Sequence, residues 1–446
     1  MKKRLLLLST FLILTSTGCG IPNTGTNSTE SPPPDTAATM STENNTEAVP
    51  STEVNTEETT EEETETVSKR EALLGEEPVK GIYVSAWVAG TADKMEEMIA
   101  GVDATELNTI VIDVKDDEGH IVFETDSPLI AETTATRVLV HDMPSLIQTL
   151  HDHGIYVIGR LVCFRDGYID QVHPEWVFHN TDGSIYRDEK NFVWIDPKNE
   201  DARAYLMEVA DECEKAGFDE IQFDYVRYPN KLSEEAAGVD GDGRKAAITD
   251  FAHFAKEHFA NLSIPFSMDV FGIVINAEYD RKIVGQDYAA LSYETSCLSP
   301  MVYPSHYAEG TYKIEYPDLY PYEVVYASME ESRNLLEEAA KEHEAAGDLT
   351  PQAIVRPWLQ GFTANYLKHY INYGAEEIRT QIQATYDAGY TEWLIWDPSE
   401  RYPWDAFLPA DAVPSSEPET EASETPDIAT ENSAPDGNTS EDSASE

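Results

Sequence analysis

Eight short runs rich in β-branched and aromatic residues recur along the middle of this chain, with amphipathic helical stretches between them. They are GIYVSAW from Gly81, TIVIDV from Thr109, IYVIGRLVC from Ile155, EIQFDYV from Glu220, IPFSMDVF from Ile264, LSPMVY from Leu298, AIVRPWLQ from Ala353 and EWLIWD from Glu392. Strand and helix in strict alternation predict parallel strands joined by right-handed crossovers, because a parallel neighbour can be reached only by a long connection that packs back on the sheet. Helical stretches such as ADKMEEMIAGV, MPSLIQTLHDHG, EDARAYLMEVADECEKAG and AEEIRTQIQATYDAG fill the intervals, and three of them run into Gly154, Gly217 and Gly389 just before the next strand, as C-terminal caps do. Eight units in roughly 330 residues predict one closed (β/α)8 TIM barrel of the α/β class. An open doubly wound sheet would carry a glycine-rich phosphate turn after its first strand, and AWVAGTAD has none.

The flanks of this region have a different composition. Residues 1–19 begin Met1-Lys2-Lys3-Arg4, continue through an apolar run from Leu5 to Leu14 and end at Gly18-Cys19, the pattern of a secretory signal with a lipidated cysteine, although Ser16 stands where such signals usually have Leu. Residues 20–79 are Thr, Glu, Ser, Asn and Pro with few large apolar side chains, so a disordered tether is expected there, and residues 410–446 repeat that composition as an acidic tail. The barrel is thus expected over 80–409. This layout predicts an extracytoplasmic protein that meets the bacterial membrane through a lipid on Cys19, or is simply secreted, and that acts as a monomer. With 84 acidic and 30 basic residues the formal net charge is −54, which argues against nucleic acid as a partner. Cys163, Cys213 and Cys297 are scattered without CxxC spacing, and are expected to be buried thiols rather than a disulfide framework or zinc site.

In a barrel of this kind the chemistry is built where strands end at the C-terminal rim. Those ends supply Trp87, Asp113 with Lys115, Arg160, Asp224 with Arg227, Asp269, Tyr303 with His306, Trp358 with Gln360, and Trp396 with Asp397. Carboxylates, aromatic faces and hydrogen-bonding groups in that mixture suit glycoside cleavage, where one carboxylic acid protonates the departing oxygen and a second carboxylate attacks or stabilises the anomeric carbon. Within EIQFDYVRYP the alternation puts Gln222 and Asp224 on one face of the strand, and Arg227 is the expected partner that would hold Asp224 ionised. Asp269, at the end of the next strand, is the candidate proton donor, its pKa raised by burial and by the neighbouring charge. A structural Asp–Arg pair and a loop-fixing Asp are the plain alternatives for the two positions. No cofactor and no metal is called for.

The runs IVIDVKDDEG, GFDEIQFDYVRYP, LSPMVYPSHY, RPWLQGF and EWLIWDP, in that order, resemble the bacterial "putative glycosyl hydrolase domain" family, first described as a domain of unknown function on surface proteins. The resemblance covers about residues 80–405. It implies a TIM-barrel hydrolase akin to the α-amylase-like group, with a nucleophilic Asp ending strand four and acids ending strands five and seven. Asp224 matches the nucleophile position, and Asp269 fits the acid position with Asp in place of Glu. Gln360 stands where the strand-seven carboxylate would be. A comparison with chitinase-like hydrolases fails at a named residue: in the DxxDxDxE spacing, Val226 replaces the proton donor and Gln222 the middle Asp.

The segment from Asp113 to Glu124 mimics a calcium loop, but Lys115 replaces a ligand and Glu118 the required glycine. His141, His151 and His153 show no paired metal spacing, while His306 is expected to hydrogen-bond substrate rather than act as a base. The resulting expectation is a glycosidase acting on an extracellular polysaccharide or oligosaccharide, with Asp224 and Asp269 catalytic. Asp113, Lys115, Arg160, Arg227, Tyr303, His306, Trp358, Gln360, Trp396 and Asp397 would line the cleft. The rival expectations are a non-catalytic carbohydrate-binding barrel and a metal-dependent hydrolase using Asp113, Asp224 and Asp269 as ligands.

Overall fold

A computed structural model of the chain describes residues 69–133 and 135–412. Cys19, most of the tether and most of the acidic tail lie outside the described residues.

Eight parallel strands form a closed barrel: β1 (Lys80–Val84), β2 (Thr109–Lys115), β3 (Tyr156–Val162), β4 (Glu220–Asp224), β5 (Phe266–Phe271), β6 (Cys297–Met301), β7 (Trp358–Gln360) and β8 (Trp393–Trp396). Closure is direct, because Ile82 of β1 is registered against Ile110 of β2 on one side and Ile395 of β8 on the other. The eight predicted runs are these eight strands. The seventh is split: Ile354–Val355 pairs with the start of β6, then Arg356-Pro357 intervenes before β7. The pairing breaks at Arg356-Pro357, where the proline has no N–H to give to the ladder.

The crossovers are carried by α1 (Ala92–Asp103), α2 (Met143–Asp152), α3 (Glu200–Ala216), α4 (Gly241–Phe259), α5 (Glu278–Val284), α6 (Pro321–Ala346) and α7 (Ala375–Asp387). Apolar spacing explains how they dock. In α1 the buried side chains are Met95, Met98, Ile99 and Val102, a single helical stripe facing the strands. In α3 the Asn199 side chain caps the first turn by accepting from the Ala202 N–H, and Gly217 ends the helix at φ +108, a conformation that any side chain would resist. The resulting core has two parts. One lies between the strands and the helices, and a smaller one fills the barrel interior with Tyr83, Val111, Tyr156, Ile158, Trp358 and Leu394.

The fold begins earlier than the composition predicts. A helix spans Lys69–Leu74, Leu74 and Val79 join the interior cluster, and Arg70 pairs with Glu392. This segment closes the N-terminal end of the barrel beside a buried ion cluster, in which Arg356 binds Glu220 at 2.8 and 3.2 Å and Glu392 at 2.9 Å. Leu73, Leu74 and Val79 are the apolar residues that dock it among many polar ones, a signal that average composition hides.

At the other end two insertions extend the rim. Ile121–Phe123 folds back antiparallel on β2, and between β3 and α3 the short strands Arg165–Asp166 and Val193–Trp194 pair antiparallel. Cys163, Cys213 and Cys297 are buried free thiols.

Candidate active site

The C-terminal rim surrounds a cleft of about 950 Å³, a volume toward the upper end for small-molecule sites. Its floor is a relay of side chains that follows the barrel order. Tyr83 on β1 donates its hydroxyl to Asp113 on β2 at 2.6 Å. Asp113 in turn accepts from Arg160 Nη1 on β3 at 2.7 Å, and Arg160 reaches Asp224 on β4 through Nε at 3.0 Å and Nη2 at 2.6 Å. Register explains the geometry. Asp113 is level with Arg160, whereas Asp224 is level with Val162, so only a side chain as long as arginine can rise one layer and bridge both carboxylates. Asp224 also accepts from the Tyr225 N–H at 2.6 Å, and Tyr225 turns the chain out of the strand with a positive φ of 54. A non-glycine residue in that conformation is strained, and such strain gathers at functional sites.

Asp269 follows on β5. Phe223 is registered against Met268, so Asp224 and Asp269 succeed them on neighbouring strands. Burial raises the Asp269 pKa well above the carboxylate range and the charge of Asp224 pushes it the same way, while Arg160 and a hydrogen bond from Trp358 Nε1 at 2.8 Å oppose the rise. The pair is therefore asymmetric: Asp224 sits in an ion pair with Arg160, and Asp269 is pushed toward its neutral acid form. Asp113 is raised to about 6, chiefly by burial, against the pull of Arg160.

Of the residues expected in the cleft, Arg160, Arg227, Tyr303, His306, Trp358, Trp396 and Asp397 line it together with Asp224 and Asp269. Trp396 lies tilted against Tyr83, ring centroids 4.2 Å apart, and meets Trp358 edge-on, so these rings form one aromatic wall above Arg160. The imidazole of His306 is held down to about 4 by burial, which leaves it neutral near pH 7. The Asp397 carboxylate accepts from the Ser399 hydroxyl and N–H and from the Arg401 N–H, so it shapes the turn after β8.

Four expectations are corrected. Arg227 forms no ion pair with Asp224; it donates to the Tyr228 carbonyl and to Asn230, and lies over the rings of Trp194, Tyr225 and Phe271. Tyr225's turn carries the chain away before Arg227 could reach back. Lys115 does not share a face with Asp113, because a register shift between them places Lys115 opposite Leu161, on the outer side, where it is fully buried against Asp166 at 2.7 Å. Gln360 is also fully buried. It accepts from the Ser305 N–H and donates to Asp318 and the Phe362 carbonyl, bracing two rim loops rather than facing the cleft. Asp113 is not a lining residue either, since it stands behind Arg160.

Sequence reasoning also missed Tyr83, Asp117, Arg165, Phe192 and Tyr225. Asp117 and Tyr225 lie within segments that were singled out, but the rim positions of Arg165 and Phe192 come from an insertion with no strand-end pattern to mark it.

Residues 81–402 match the model of a family described as "putative glycosyl hydrolase domain". Among solved structures, a hypothetical protein from Ruminiclostridium thermocellum is 35% identical over 42% of this chain and 97% of its own, with a TM-score of 0.39. The glycoside hydrolase domain of PgaB (BpsB) from Bordetella bronchiseptica is 13% identical over 72% of this chain and 94% of its own, with a TM-score of 0.50, a likeness of fold. An alpha-galactosidase from Thermus thermophilus is 13% identical over 75% of this chain and 60% of its own, with a TM-score of 0.45. No curated protein matches.

Proposed function

Because the chain belongs to the "putative glycosyl hydrolase domain" family over residues 81–402, we propose that it cleaves glycosidic bonds with Asp269 as proton donor and Asp224 as nucleophile. The observation that carries this reading is the split between the two carboxylates. Asp224 is bound by Arg160 through two nitrogens, and Asp269, one strand over, is held toward its protonated form. Asp269 gives its proton to the glycosidic oxygen as the C–O bond breaks, and a carboxylate oxygen of Asp224 bonds to the anomeric carbon. Water then attacks that carbon, its proton returns to Asp269 and the Asp224 carboxylate is released. Trp358 positions Asp269, while Arg160 positions Asp224 and is itself held by Asp113 and Tyr83. A metal-ligand role for Asp113, Asp224 and Asp269 is disfavoured by the donor set, since a guanidinium already occupies the space between two of them and would repel a cation.

The substrate class we propose is an extracellular polysaccharide or oligosaccharide, reached from a protein tethered through lipid on Cys19. Fatty-acid labelling in a bacterial host, lost in Cys19→Ser, tests the tether. For the chemistry, purified protein and its Asp224→Asn variant are incubated with cell-wall and dietary glycans and reducing ends are counted. Turnover is expected to fall on the order of 10⁴-fold in the variant while glycan affinity persists. Binding without turnover in the unaltered protein would leave a carbohydrate-binding barrel as the answer.

A further inference from the structure

The cleft wall beyond β4 and β5 gathers three cationic groups, Arg165, Lys190 and Arg227, against two loosely placed carboxylates, Asp117 and Asp188. Arg227 is more than nine-tenths buried, spends Nη1 on the Tyr228 carbonyl and the Asn230 side chain, and forms no ion pair among the described residues. Arg165 lies 3.8 Å over Phe192 and shares the Tyr225 ring with Arg227, each guanidinium 5.2 Å from its centroid. The carboxylates nearest Arg165 are loose, at 3.6 Å for Asp117 and 3.8 Å for Asp188. Asp117 also serves Arg160, and Asp188 is engaged by the Lys190 and Phe192 N–H groups and by Trp194. Lys190, half-buried on the same cleft, has its pKa lowered by burial and by the charge of Arg165, against the opposing pull of Asp117 and Asp188.

Bringing like charges together and drying them costs free energy, and an aromatic face lowers that cost without cancelling the charge. In a chain with 84 acids for 30 bases a compensating carboxylate was easy to supply. Instead only the shared carboxylates of Asp117 and Asp188 stand nearby, and the excess positive charge faces the cleft. Its place is specific: Tyr225 directly follows Asp224, and Phe271, under Arg227 at 4.6 Å, comes two residues after Asp269. We infer that Arg165, Lys190 and Arg227 form a subsite for an anionic substituent, a sugar carboxylate, on the ring bound beside the scissile bond. This specifies the substrate class of the cleft and rests on the hydrolase reading above only for the role of that ring. The chain as a whole repels extended polyanions, so the subsite is read as taking one acidic sugar at a time.

Binding of glucuronate, galacturonate, N-acetylneuraminate and glucose 6-sulfate to the full chain is compared by ligand-observed NMR with that of their methyl esters or uncharged parents. At least one acid is expected to bind roughly 30-fold more tightly than its uncharged counterpart, and to lose that advantage in Arg227→Gln and in Lys190→Gln. The lysine variant, altered at a half-exposed position, keeps the test open should the buried arginine variant fail to fold. Preference for the sulfate would assign the anion as a sulfate ester in place of the carboxylate. Equal binding of charged and uncharged members, no binding of any charged member, or unchanged preference in the folded variants would overturn the subsite. Reducing-end release separates this from the hydrolase reading. Acid binding without turnover removes the enzyme and keeps the subsite, whereas turnover confined to neutral glycans does the reverse.

Discussion

Arg160 holds Asp224 through Nε and Nη2 while its Nη1 holds Asp113, so one guanidinium sets the distance between two carboxylates on either side of its strand. Removing it leaves two buried acids with no cation between them. Arg160→Met is expected to lose roughly 3–5 kcal/mol of stability, the usual cost of stripping a buried charge of its partner. It should also lower turnover far more than glycan affinity. Urea unfolding read alongside kcat and KM checks both, and a variant with unchanged turnover would remove Arg160 from the positioning role.

The acid form of Asp269 is the one that can donate a proton, so the rate should be present below its raised pKa and fall as pH climbs through it. Trp358 donates a hydrogen bond that favours the carboxylate. Trp358→Phe removes that donor, and the alkaline limb of the kcat/KM profile is therefore expected to move to higher pH. A limb that stays in place would mean that Asp269 does not govern it.

Asp113 carries a stability signature of its own. Its folded pKa of about 6 lies above the roughly 3.9 of an unfolded Asp, so the folded state holds more protons in that interval. Its contribution is complete below about pH 4 and disappears as pH rises through about 6, amounting to no more than about 3 kcal/mol. The stability difference between the unaltered protein and Asp113→Asn, followed by urea titration across that range, should show this slope.

Stereochemistry follows from the proposed nucleophile. A carboxylate that bonds to the anomeric carbon and is then displaced by water inverts that centre twice. The first product formed is expected to keep the anomeric configuration of the substrate. NMR of the nascent sugar decides this, and an inverted first product would replace Asp224 as nucleophile by a water.

The barrel floor predicts a truncation effect. A chain starting at residue 80 would lose Leu74, Val79 and the Arg70 partner of Glu392. Its melting temperature should drop by several degrees, as about 1–2 kcal/mol of lost packing implies for a domain of this size. An equal melting temperature would show that the segment is dispensable.

What the amino-acid sequence determined by itself is the barrel and its rim. Strand alternation, helix stripes and the glycine stops at Gly154, Gly217 and Gly389 are local signals, and each survives whatever the distant chain does. They located Asp224 and Asp269 on adjacent strand ends. The partners of those residues were decided only by the closed structure. Arg227, three residues from Asp224, was the natural guess, yet Arg160, sixty-four residues away, takes the place because inter-strand register brings its side chain alongside. Lys115 shows the same limit, since one irregularity in β2 turns it from the cleft to the outer face and period-two reading cannot register it. The cationic wall of Arg165, Lys190 and Arg227 is assembled from an insertion and a strand exit that meet only after folding.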